Sequence, residues 1–288
     1  FWLYLAIFAY FLEAVVFAID KFLLTSDVPS SISYAFYAAI LSSFALLLIP
    51  FGVTVPDLSI LLVGLGSGAS FFIGLIFLYR SIKIIDISEA TPAIGAISAI
   101  STLGFSFLIL HESFSIHEVF AFTFLVIGTM FMAYVHLNNR VLRNMIMAGI
   151  GFGISFVTLK YFFVNTDFIN GVFWSIIGMI ASSFLLLIPS KSRKEILTSL
   201  NKAPGKARFS FIFNKILSAV AFIILYYSIK IGDVVFVNAL QGFQYVFTLL
   251  ISLVLASRFP KFFEREHSLM RKSIAICFIV AGFFLLFI

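Results

Sequence analysis

Few side chains in this sequence can do chemistry, and the ones that stand out fall inside long apolar runs. Glu13 lies seven residues before Asp20, which puts it roughly 10 Å below the surface that Asp20 marks if the run is helical. A charge at the centre of a bilayer costs roughly 2.5–3.5 kcal/mol on insertion scales, so Glu13 is expected to face protein. Three readings stand: a proton-coupling carboxylate, a counter-ion for a cationic substrate, or half of a structural ion pair. Lys215 offers the partner, because it lies seven residues past Arg208 and so at a similar depth. Both are expected to line one central cavity, where they are close enough in depth to pair. The alternative for Lys215 is to snorkel to the surface. Asn214 and Ser218 flank it.

A second group is periodic. Asn238, Gln241, Tyr245, Thr248 and Ser252 are spaced 3, 4, 3 and 4, which is one stripe along a helix. An offset of 147 residues maps them onto Thr91, Ile94, Ser98, Ser101 and Phe105. Two polar stripes of this kind would line a shared cavity, with Thr91, Ser98, Ser101, Asn238, Gln241 and Tyr245 as substrate-binding candidates. The competing reading is interhelical glue, since Ser and Thr are common where membrane helices touch.

Enzymatic chemistry finds little support. His111, Glu112 and His117 lack the HExxH spacing of a zinc protease. The single Cys277 allows neither an intrachain disulfide nor a cysteine-rich metal site. Gly64-x3-Gly68 and Gly149-x3-Gly153 read as helix-packing motifs rather than phosphate loops, because no strand precedes them. The expectation is no enzyme, no cofactor and no metal. The net charge of +6 sits in loops between apolar runs, which speaks for a membrane rather than nucleic acid as partner.

The elements that must position these residues follow from composition. The 288 residues are 62% hydrophobic and 11% charged, against roughly 25% charged in a soluble domain. Ten apolar runs, near 1–19, 31–50, 58–79, 88–109, 116–136, 144–163, 169–189, 209–229, 232–257 and 271–288, each approach the length of a transmembrane helix. The first lacks a basic n-region and a clear cleavage site, so it reads as a span rather than a signal peptide. The interval Ser190–Arg208 reads as a loop. The expected fold is an all-α membrane protein of ten transmembrane helices.

The chain also repeats itself. LYRSIKIID from Leu78 returns as LYYSIKIGD from Leu225 at the offset of 147, and LLLIP from Leu46 returns from Leu185 at 139. FLVIG ending at Gly128 returns as FIVAG ending at Gly282. The repeats predict two five-helix units, 1–138 and 139–288. Five is odd, so the second unit enters the membrane inverted, a design that lets two halves rock about one central site. Lys21, Arg80, Lys83, Arg140, Arg143, the Lys191–Arg208 cluster and the basic residues from Arg258 to Lys272 gather on one side. The positive-inside rule makes that side cytoplasmic and puts both termini outside.

These residues resemble the EamA-type ten-helix transporters of the drug/metabolite transporter superfamily, over almost the whole chain. LYRSIKIIDISEATPAIGAIS is similar to the family's junction between its third and fourth spans, with Pro92 near its downstream proline. Glu112 in HESFS is similar to the family's Gly-Glu-Arg-Leu-(Ser/Thr) turn, although His111 and Ser113 depart from it, as does Arg258-Phe259-Pro260 in the second half. Gly128 and Gly282 match the glycine of the last span in each repeat. The resemblance implies two inverted five-helix repeats, secondary transport of metabolites, and spans 1, 3, 4, 6, 8 and 9 around a cavity. It also implies cytoplasmic termini, opposite to the charge count. Glu13 is similar in place to the glutamate in the first helix of the related small multidrug resistance proteins.

The expected function is secondary active transport of a small polar or amphipathic, amino-acid-like metabolite across the cell membrane by alternating access, with Glu13 as the candidate for proton coupling. The expected partners are the small-molecule substrate, protons and membrane lipid, and the protein is expected to be a monomer or a homodimer. A proton-coupled exporter of lipophilic cations is the alternative, and predicts Glu13 unpaired in an aromatic cavity; a cavity shared by Lys215 and Asn238 favours the metabolite. A lipid-handling, flippase-like protein needs a cavity open sideways to the bilayer, beside the ninth span.

Overall fold

A computed structural model describes residues 1–26, 30–85, 87–133, 139–202, 205–256 and 269–287, and all of its regular structure is helical. In chain order the helices are α1 (Trp2–Ser26), α2 (Ser31–Leu41), α3 (Leu58–Ile84), α4 (Ile87–Phe105), α5 (Ile116–Met132), α6 (Asn139–Asn165), α7 (Phe168–Phe184), α8 (Ser190–Lys202), α9 (Gly205–Ile231), α10 (Val234–Ala239), α11 (Gly242–Ala256) and α12 (Leu269–Leu285). α2 runs on into a 3₁₀ stretch, Ser42–Phe51, and α4 ends in a π turn, Ser106–Leu110.

Among the described residues, eight segments are long and apolar enough to cross a membrane, including Trp2–Leu24, Leu58–Ile84, Arg208–Ile231 and the α10–α11 segment Val234–Leu255. α5 and α12 have 17 residues each. Large apolar side chains such as Leu47, Phe209 and Val254 are exposed on the outside of the bundle, the expected face of a multi-pass membrane protein. The ends carry polar stops. Ser30 caps α2 by accepting from the Ser33 amide, Ser115 and Glu118 form a capping box on α5, and Asp233 caps α10. Each satisfies a helix N–H group that has no intrahelical partner.

Two expectations change. The basic interval after Pro189 is not a loop over Ser190–Lys202 but helix α8. Its sequence SKSRKEILTSLNK turns Ile196 into the protein, where the Ile196 carbonyl accepts from Tyr37 Oη at 2.8 Å, while Lys191, Arg193 and Lys194 stay exposed. The ninth span is not one uninterrupted helix either. It breaks between α10 and α11, just before Gly242, where a Cβ would stand 2.8 Å from Thr129 Oγ1. The basic stretch Arg258–Glu266 lies outside the described residues.

Several contacts occur twice at the offsets that the sequence repeats define. Lys21 Nζ donates to the Ile82 and Ile85 carbonyls at the end of α3. Lys160, 139 residues on, donates to the Ile229 and Gly232 carbonyls at the end of α9, 147 residues on. Ser67 Oγ of α3 donates to the Ser155 carbonyl of α6, and Asn214 Nδ2 of α9 donates to the Val16 carbonyl of α1, again at 147 and 139. A Cβ on Gly128 of α5 would meet Ala275 O and Ile279 N of α12, and one on Gly282 of α12 would meet Ala121 O and Leu125 N of α5. Each of these two helices thus seats a glycine against the other's backbone.

Candidate functional site

A cavity of about 270 Å³ lies between α1, α3, α7, α9, the α10–α11 break and the second half of α2. Its walls are mostly aromatic and aliphatic, with Phe17, Phe71, Phe152, Phe156, Phe222 and Tyr226 among them. The polar groups on it are few: Tyr10, Glu13, Asp20, Tyr79, Lys215, Ser218, Gln241 and Gln244 chief among them.

Lys215 and Asp20 form one compensated unit. Lys215 Nζ stands 2.8 and 3.2 Å from the two Asp20 oxygens and 3.2 Å from Tyr79 Oη. Its ammonium also lies 4.9, 5.5 and 5.7 Å from the ring centres of Tyr34, Tyr79 and Phe211, a cation–π cage. Asp20 takes further hydrogen bonds from Asn214 Nδ2, at 2.6 Å, and from Tyr34 Oη. α1 continues to Ser26, so Asp20 does not mark the membrane surface as the sequence suggested; it is 1% exposed. Nor does Lys215 snorkel, because a carboxylate and three rings already hold it inside.

Glu13 has no such compensation. It is buried, and its only hydrogen-bond partner among the described residues is Ser218 Oγ, at 3.3 Å. Lys215 acts on it electrostatically but is spent on Asp20. A carboxylate so placed is costly as an anion and needs a proton or a cation. Beyond it, Gln241 Nε2 donates to Gln244 Oε1 at 3.2 Å, leaving Gln241 Oε1 and Gln244 Nε2 buried with no partner. Both residues line the cavity, which therefore holds, beside the paired Asp20, one carboxyl without a cation and one unsatisfied amide edge.

The candidates read from the sequence separate into groups. Glu13, Lys215 and Gln241 line the cavity, and Asn214 stands behind it on Asp20. Asn238 donates to Ser98 Oγ, at 3.0 Å, and to Thr102 Oγ1, which makes it a bridge between α10 and α4 away from the cavity. Thr91 bonds back to the Ile87 carbonyl and shares a second, much smaller pocket with Tyr245. Ser101 packs against Gly153 of α6. Asn238, Tyr245 and Thr248 all face α4, Asn238 on Ser98 and Thr102, Tyr245 against Gly95 and Thr248 beside Thr91, so the stripe joins α10 and α11 to α4, whereas Gln241 lines the cavity. Asp20, Tyr79, Tyr10 and Gln244 were missed. For Asp20 a signal existed, since a buried lysine at the depth of Lys215 requires an acid, and Glu13 was not the only one in α1.

No family model and no curated protein matches this chain. Chains of solved structures do match, 17 in number. One of them, described as "Crystal structure of protein", superposes over 98% of this chain and 93% of its own with a TM-score of 0.63, at 17% identity. The likeness is one of fold.

Proposed function

We propose that the chain is a secondary active transporter that carries a small amphipathic solute across the cell membrane by alternating access, coupled to protons through Glu13. In this reading the ten helices form two inverted five-helix repeats of the EamA kind, with the basic loops in the cytoplasm. The recurrent contacts of Lys21 and Lys160, of Ser67 and Asn214, and of Gly128 and Gly282 support the repeat. The observation that carries the function is Glu13 itself: one carboxylate without a cation, at the wall of an aromatic cavity, beside an acid–base pair that is already balanced.

That balance bears on the substrate's charge. An unpaired Glu13 among aromatic rings favours a solute with an amine or quaternary ammonium group, since rings and carboxylate both attract cations. Asn238 lies elsewhere, which removes one of the two residues expected to favour a carboxylate-bearing metabolite. Lys215 on the wall keeps the amino-acid-like reading as the second. Proton and cation would compete for Glu13, so that binding one releases the other. In proteoliposomes, Glu13→Gln should reduce pH-gradient-driven uptake of a cation such as tetraphenylphosphonium at least about tenfold while leaving the thermal unfolding profile in place. Unchanged driven uptake removes the coupling role.

A further inference from the structure

We infer that the cavity is loaded sideways from the bilayer, through a gap between the 3₁₀ half of the second span and α9, and that its substrates include single-tailed cationic amphiphiles whose tail stays in lipid. The inference rests on the cation reading of Glu13 and adds the route and the shape of the ligand. Its first support is a difference between two matched seams. Where α3 meets α7, backbones touch: a Cβ on Gly68 would lie 1.8 Å from Ser175 O, and one on Gly178 would lie 2.2 Å from Leu65 O. At the matched seam the offset of 147 puts Lys215 in place of Gly68, and the offset of 139 puts Ala39 in place of Gly178. There α2 barely touches α9, and Lys215 stands where α3 has a glycine.

The second support is what lines the gap. Phe44, Leu47 and Ile223 are cavity-lining residues that are 37%, 71% and 43% exposed, so the cavity reaches the lipid-facing surface between them. The small Ala45 and Ala219 line the same cavity as Ser218 and the buried Glu13. The gap is thus apolar at the lip with its one uncompensated anion inside, the polarity of an amphiphile entering head first. The third is the wall itself. Ser42–Phe51 is ten residues of 3₁₀ helix ending at Gly52, with φ of 96°, whereas 3₁₀ runs longer than 3–4 residues are uncommon and a stretch within a helix often marks a hinge.

The test uses purified protein in nanodiscs and the series tetramethyl-, butyltrimethyl- and dodecyltrimethylammonium, with partition into empty nanodiscs subtracted. A sideways opening makes affinity climb about tenfold or more from butyl to dodecyl, because the tail need not fit inside. Leu47→Trp at the lip lowers the ratio of dodecyl to tetramethyl affinity about tenfold. A fluorophore on Phe44→Cys in a Cys277→Ser background is quenched by chain-brominated lipid and relieved by the dodecyl ion, a readout that does not depend on the Trp variant folding. Short ions that bind while dodecyl does not, or a label that chain-brominated lipid fails to quench, overturn the opening alone. If no member of the series binds and Glu13→Gln behaves as wild type, the cation reading fails and takes the opening with it.

Discussion

The α3–α6–α7 sector and the α9–α1–α2 sector carry recurrent contacts at offsets of 147 and 139 and both line the cavity, yet α3 is sealed against α7 while α9 barely touches α2. Both share a frame: a lysine from α1 or α6 caps the end of α3 or α9, and a side-chain hydrogen bond ties α3 to α6 and α9 to α1. They part at a handful of positions. Gly68 is matched by Lys215, Gly178 by Ala39, and Phe152 of α6 by Glu13 of α1. Gly68 and Gly178 let α3 and α7 touch, while Lys215 and Glu13 put the charged groups on the facing wall of the cavity that Gly68 and Phe152 also line. The frame supplies stability on both sides, and side-chain volume and charge at a few places decide where a solute is able to sit.

The sharpest way to break this comparison is to remove the charge that stands where the other seam has Gly68. Lys215→Met strands Asp20 among Tyr34, Asn214 and Tyr79, and leaving a buried charge unpaired costs roughly 3–5 kcal/mol. Adding Asp20→Asn should recover most of the loss, because the pair as a unit contributes little net stability. Thermal unfolding of the single and double variants in detergent measures both terms. Equal losses for the single and the double would mean that Lys215 acts through packing alone.

Next in size is the sealed side. Gly68→Ala puts a methyl where Ser175 O and the Met179 amide nitrogen already stand, and overpacking of this kind costs roughly 1–3 kcal/mol. Ala39→Gly, at the matched place for Gly178, should cost no more than about 1 kcal/mol, the helix propensity difference. Similar effects at the two positions would show that the seams are not packed differently.

How much of this the sequence could tell depends on the kind of residue. The helices were legible from twenty-residue apolar runs, and the recurrence of LYRSIKIID pointed to positions whose contacts do recur. Glu13 and Lys215 were legible as cavity residues because a charge in lipid has nowhere else to go. The pairing was not legible. Asp20 follows an apolar run and precedes Lys21, so it looks like the end of a span, and only the fold reveals that α1 runs six residues further past Asn214 and Tyr34. The stripe from Asn238 to Ser252 was legible as a helix face but not as to what it meets: Asn238, Tyr245 and Thr248 join α10 and α11 to α4, the interhelical reading, and Gln241, at the break between α10 and α11, turns to the cavity instead. Gln244, one turn into α11, was passed over because it fell off that stripe.

The smallest effect tests what the two sectors have in common. Lys21→Met and Lys160→Met each uncap helix-end carbonyls and should each cost about 1 kcal/mol, measured near pH 4. The cost at Lys160 should then change as pH rises, because Asp233 lies beside Lys160. Burial, and then the neighbouring Glu112, raise the Asp233 carboxyl to about 6 from 3.8, against hydrogen bonds from the Phe236 and Val235 amides and the attraction of Lys160. Between those values the folded protein binds more protons than the unfolded chain, so stability falls as pH rises through the window and levels off above about 6. Without Lys160 the carboxyl titrates higher still, and the fall continues past that point. The cost of Lys160→Met should therefore grow from about pH 4 to about pH 7, and Asp233→Asn, which keeps the cap on α10, should abolish that growth. A Lys160→Met penalty that stays flat across this range would mean that Lys160 serves only the carbonyls at the end of α9.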